Sequence, residues 1–102
     1  MNIHDLVNIR AALALFMRDD YELKITTASA EIYALMQWDQ EYAIMLRWDG
    51  DRKSARTIAR HEIRGALLRI IYADVVTNVK IRCDVTRSVR TVYPYDRRYF
   101  YV

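Results

Sequence analysis

The sequence predicts an α+β fold, with two helices at about 4–18 and 55–73 packed on one antiparallel sheet in the order α-β-β-β-α-β-β(-β). Two stretches space their apolar residues at three and four, the period of a helix buried on one side. Several others alternate apolar with polar residues, the period of a half-buried strand. Breakers are scarce: Gly50, Gly65 and Pro94 are the only glycines and proline. No Pro/Ser/Gly-rich linker interrupts the 102 residues, which reads as one compact domain over 1–102.

The first helix rests on Leu6, Ile9, Leu13 and Phe16, with Val7, Ala14 and Met17 widening the stripe and Asp5 near its positive end. Asp19 and Asp20 break the pattern. Tyr21, Leu23, Ile25 and Thr27 then alternate with Glu22, Lys24 and Thr26 as a strand. Over 28–48 helix-favouring residues are common, yet a helix there would be apolar all round. Tyr42, Ile44, Leu46 and Trp48 fit one face of a strand, so 30–38 and 41–48 read as a hairpin with Asp39 and Gln40 at its tip. A helix over 29–37 is the alternative. Asp49-Gly50 marks a turn.

Ser54 is placed to cap a helix over 55–73, whose stripe is Ala55, Ala59, Ile63, Ala66 and Ile70. Val79, Ile81, Cys83 and Val85 alternate with Lys80, Arg82, Asp84 and Thr86 as a strand with one charged face. Residues 89–93 and 98–102 read as two short strands around Pro94.

Composition removes several classes of function. Cys83 is the only cysteine, so an intrachain disulfide is excluded. The opening Met1-Asn2-Ile3-His4-Asp5 lacks a signal-peptide pattern, and the longest apolar run, Ala11–Met17, is far shorter than the roughly 20 residues a bilayer needs. A cytoplasmic protein with no membrane contact is the expectation. Two isolated glycines cannot build a phosphate-cradling loop, which argues against nucleotide-hydrolysing and dinucleotide-binding folds. No metal-ligand spacing or small-molecule cofactor motif occurs.

The net charge of +3 conceals a division. Residues 1–50 hold eight acidic and four basic groups (−4), and residues 51–102 hold five acidic and twelve basic (+7). Such asymmetry suggests a polyanion or an acidic protein as partner. The plainer alternative is that the two halves face each other. Within the predicted second helix, Arg56, Arg60 and Arg64 form one ridge, with Arg52 and Lys53 just before it. Guanidinium groups on a rigid ridge can meet successive phosphates through bidentate hydrogen bonds. A solvated face is the alternative.

The stretch Lys53-Ser54-Ala55-Arg56-Thr57-Ile58-Ala59 resembles the Lys-x-Ala-Lys-x-x-Ala that opens the second helix of the double-stranded-RNA-binding domain. The resemblance implies that Arg52, Lys53 and Arg56 contact phosphates across a groove. That family's Gly-Pro-x-His signature has no counterpart here, where Thr27-Ala28-Ser29-Ala30 stands in its place.

The tail interleaves Tyr93, Tyr95, Tyr99, Phe100 and Tyr101 with Arg90, Arg97 and Arg98. Such a mixture can stack bases and hold a backbone, anchor a protein interface, or simply close the sheet as a terminal strand. Lys80, Arg82 and Arg87 would extend the basic surface. Trp38 and Trp48 are expected at matching ends of the hairpin, in the core or as a cross-strand pair; with Tyr33 and Tyr42 they would otherwise leave an apolar patch for a partner or a dimer.

Catalytic candidates are few. His4 and His61 are the only histidines, and Cys83 falls on the inward side of its strand. His61 beside Arg60 and Arg64 allows a metal-independent ribonuclease as a minor reading. The expectation is a non-enzymatic domain binding nucleic acid through Arg52, Lys53, Arg56, Arg60, Arg64, Arg90, Tyr95, Arg97, Arg98 and Tyr99. A protein-interaction module docking on an acidic partner is the runner-up, and a homodimer is compatible with both.

Overall fold

The computed structural model describes residues 3–18, 21–36, 41–83 and 86–94. They form α1 (Ile3–Phe16), β1 (Tyr21–Thr27), β2 (Glu31–Met36), β3 (Tyr42–Asp49), β4 (Arg52–Ala59), α2 (Ile63–Ala73), β5 (Val76–Cys83) and β6 (Val89–Tyr93). The six strands make one antiparallel sheet in the order β4-β3-β2-β1-β5-β6. No helix of the described residues is long and apolar enough to cross a membrane.

Alternation along the strands decides which side the helices cover. Leu23, Ile25 and Thr27 of β1, Ile32, Ala34 and Met36 of β2, Ala43 and Met45 of β3 and Val79 and Ile81 of β5 all face one way and are buried. Ile9, Leu13 and Phe16 of α1 and Ile63, Leu67 and Ile71 of α2 join them in a single core. Both helices therefore lie on the same side. Burying side chains of this size stabilises the fold by about 1.5–3 kcal/mol each. Val7 and Ala14, expected to widen the α1 stripe, are exposed.

Two turns follow from local chemistry. Between β1 and β2, the Thr27 N–H donates to the Ala30 carbonyl at 2.8 Å, and the Thr27 hydroxyl accepts from the Ala30 N–H at 3.0 Å. Between β3 and β4, Asp49 pairs with Arg52 across a two-residue loop whose first member, Gly50, has φ +62, a left-handed conformation that suits glycine. The alternation in 21–48 thus predicts β1, β2 and β3, and the stretch considered as a helix over 29–37 holds strand β2 at Glu31–Met36. Asp39 and Gln40, the expected hairpin tip, lie outside the described residues, as does the strand expected over 98–102.

The second helix departs from expectation. Residues 52–59 form β4, paired with β3 from Tyr42↔Ala59 to Asp49↔Arg52, and α2 begins only at Ile63. Arginine and alanine favour helix, but pairing along all of β3 overrides that weak preference. As an edge strand β4 is exposed on both sides until Ile58, so it shows no apolar alternation. Ser54 is consequently a strand residue, and Glu62 occupies the N-cap of α2 without a side-chain hydrogen bond. The likeness to the double-stranded-RNA-binding domain ends here, since the matching residues open no helix.

The extra strand also explains α2. Successive antiparallel neighbours leave β4 and β5 pointing the same way, on opposite sides of three intervening strands. No hairpin can join them, so the chain crosses the covered side of the sheet through α2.

Candidate functional site

Two edges and two sides of the sheet divide the predicted basic residues. On β4, Arg52, Ser54 and Arg56 share the helix side with their partners Asp49, Arg47 and Met45. Lys53 points to the opposite side, with its ammonium 4.7 Å from the Trp48 ring centroid. Arg60 lies in the turn after β4, where its N–H donates to the Glu41 carbonyl at 2.9 Å. Arg64 belongs to α2. Arg56, Arg60 and Arg64 therefore form no ridge: they occupy a strand, a turn and a helix. Arg90 stands on β6, opposite Ile81, at the far edge of the sheet. Five strand spacings, roughly 24 Å, separate that edge from β4. Tyr95, Arg97, Arg98 and Tyr99 lie outside the described residues. Among the described residues the basic groups singled out from the sequence do not all converge on one surface: Arg52 and Arg56 share one side of β4, while Lys53 faces the other side and Arg90 stands at the far edge.

Where β3 and β4 meet α2, a cleft of about 610 Å3 is lined by Arg47, Ser54, Arg56 and Arg69, with Met45 and Ala66 among its apolar walls. No described carboxylate lines it. Its three arginines come from three elements, and among the described residues none is ion-paired within 4 Å. The Arg47 charge reaches Asp74, where it is the smallest of the contributions that hold that carboxyl below its ordinary value. Arg64 and Arg69 sit about 140° apart around α2, so Arg69 serves the cleft flank and Arg64 the other.

Sequence reasoning found Arg56 and missed Arg47 and Arg69. A signal for Arg47 existed: it breaks the series Ala43, Met45 on the buried side of β3, where an arginine needs an outlet to solvent. Arg69 needed the true start of α2, which the extended helix concealed.

His61 lies in the turn before α2, its imidazole 82% exposed and 3.7 Å from the Glu62 carboxylate. Cys83, opposite Tyr21, is half-buried. Among the described residues no group of three His, Cys, Asp or Glu side chains is positioned to hold a metal ion.

The side of the sheet away from the helices has a different character. Lys24 is opposite Tyr33 and Trp48 is opposite Lys53, so cations flank an aromatic pair across four strands. The Lys24 ammonium lies 5.3 Å from the Tyr33 centroid and 3.6 Å from the Glu31 carboxylate. Hydrogen bonding to Tyr33, with a further contribution from Glu31, holds Lys24 above its ordinary pKa. Trp48 sits opposite Glu31, at the end of β3, and Trp38, its expected partner at the matching end of the hairpin, lies outside the described residues. On β1 and β5, Arg82 lies 3.8 Å from the Glu22 carboxylate.

No family model, curated protein or solved structure matches this chain.

Proposed function

We propose that this chain is a non-enzymatic binding domain that takes nucleic acid by its phosphate backbone in the Arg47–Arg56–Arg69 cleft. The observation carrying this reading is a solvent-open cleft lined by three arginines and a serine, with no described carboxylate. A guanidinium matches a phosphate with two parallel hydrogen bonds and stays charged at any physiological pH. Among the described residues none of the three is ion-paired to an acid within 4 Å, which leaves their charge for an external anion. Arg52, on the same side of β4, extends the basic track beyond the cleft. Contacts of this kind hold the backbone and carry little sequence information.

The test is fluorescence anisotropy with labelled RNA and DNA over a salt series. Affinity is expected to fall steeply with salt, with a logarithmic slope of about −0.9 per phosphate contacted on duplex DNA. Arg56→Glu and Arg69→Glu should each abolish binding, whereas Arg90→Glu, at the opposite edge, should leave it near wild type. Absence of salt-sensitive binding to either nucleic acid overturns the proposal, and loss of binding in Arg90→Glu alone moves the site.

A further inference from the structure

The bare side of the sheet carries a second surface. On β2, β3 and β4 it presents Tyr33, Leu35, Ile44, Leu46, Trp48 and Thr57, none of them formally charged. No described helix or strand covers them, and all but the exposed Thr57 are half-buried. We propose that a second copy of this chain covers this surface, in a two-fold dimer with the bare sides face to face and the helices outward.

The distribution of charge favours a second copy over a charged partner. The centre of the patch is uncharged, so a two-fold axis sets apolar groups against apolar groups. Its margin is charged and partly matched: Lys24 pairs with Glu31 at 3.6 Å, Lys53 lies over the Trp48 ring, and Lys80, opposite Lys24, adds a further cation at the β5 side of the margin. Further out, Arg82 pairs with Glu22. An uncharged core inside a polar rim, with Tyr33 beside Leu46 near the centre and Trp48 toward the margin, matches the anatomy of a homodimer interface. The size also fits. Patch and charged margin together span the six strands, which at about seven residues each present roughly 29 by 24 Å, on the order of 700 Å2 in projection, near the roughly 800 Å2 per partner of a standard interface, and the uncharged patch on β2, β3 and β4 makes up about half of it. Association through the β4 edge is discouraged instead, because Arg52, Lys53 and Arg56 line that strand.

Sedimentation velocity of the full chain over a concentration series tests this. A species of twice the 12.1 kDa chain mass is expected. Leu46→Asp, at the centre of the patch, should weaken dimerisation at least about tenfold. Thr57→Arg tests the same face from an exposed position that leaves the core untouched, and is expected to act in the same direction with an unchanged circular dichroism spectrum. Arg69→Glu, on the helix side, should dimerise like wild type even though the nucleic-acid proposal requires it to lose binding. A wild-type chain that stays monomeric at every concentration overturns the inference, whether or not it recruits a different protein. So does a dimer that persists undiminished in folded Thr57→Arg.

Discussion

The Tyr33 ring meets the Trp48 ring edge to face, with centroids 5.1 Å apart and planes at 76°. The two residues sit on adjacent strands, one diagonal step apart in the register that pairs Glu31 with Trp48 and Tyr33 with Leu46. Lys24 and Lys53 lie over the two rings from the neighbouring strands β1 and β4. A tilted contact places the positive edge of one ring on the negative face of the other, and each ammonium uses the same ring quadrupole. A double-mutant cycle with Tyr33→Ala and Trp48→Ala, followed by urea unfolding, should give a coupling of about 0.5–1.5 kcal/mol. A coupling near zero would mean that the rings contribute independently.

Asp74 links the end of α2 to the β1–β2 turn. The Ser29 hydroxyl donates to its carboxylate, and the Val75 N–H donates to the other oxygen at 2.7 Å. The Ser29 hydrogen bond, helped by Thr27 and the Val75 N–H, holds the carboxyl below its ordinary 3.8. A depressed folded-state pKa contributes stability above the unfolded value and loses it as pH falls through the folded one. Asp74→Asn should therefore be less stable than wild type at neutral pH. The gap in urea midpoint should close as pH drops below 3.8. A gap that is constant with pH would assign Asp74 a purely steric role.

How much was legible depends on where each element sits in the sheet. β1 and β3 are interior strands with one side in the core, so their alternation is written in Leu23, Ile25 and in Ala43, Met45. β4 is an edge strand whose identity comes from its pairing with β3, and pairing across sequence leaves no local mark. Misreading it lengthened α2 and turned Arg56, Arg60 and Arg64 into a ridge that the fold does not contain. The candidate cleft was equally hidden, because Arg47, Arg56 and Arg69 meet only once β3, β4 and α2 have been assembled.

The basic residues of β4 have a second consequence. An edge strand offers unpaired backbone groups to any other strand, and charged side chains along it are the common safeguard. Arg52 and Arg56 are exposed on one side of β4 and Lys53 on the other. Replacing Arg52, Lys53 and Arg56 together with threonine should raise the rate of aggregation followed by light scattering, with little change in unfolding midpoint. Replacing Arg10, Arg18 and Arg64 together with threonine, the same loss of three charges away from the edge, should not. Equal aggregation in both would assign the effect to net charge alone.

The two glycines should respond to alanine with opposite signs. Neither has an atom within 4 Å of the position an added Cβ would take, so steric contact does not separate them. Backbone conformation does. Gly50 holds φ +62 in the β3–β4 turn, where an L side chain crowds its own carbonyl. Gly50→Ala should therefore destabilise by about 1 kcal/mol. Gly65 lies within α2 on its exposed side, and its backbone is not in the left-handed region. There glycine adds only unfolded-state entropy, so Gly65→Ala should stabilise by about 0.5–1 kcal/mol. Thermal or urea unfolding of the two variants reads both signs directly. Destabilisation by Gly65→Ala would mean that the bare Cα is needed by something packed against α2, such as a partner seated on the helix side.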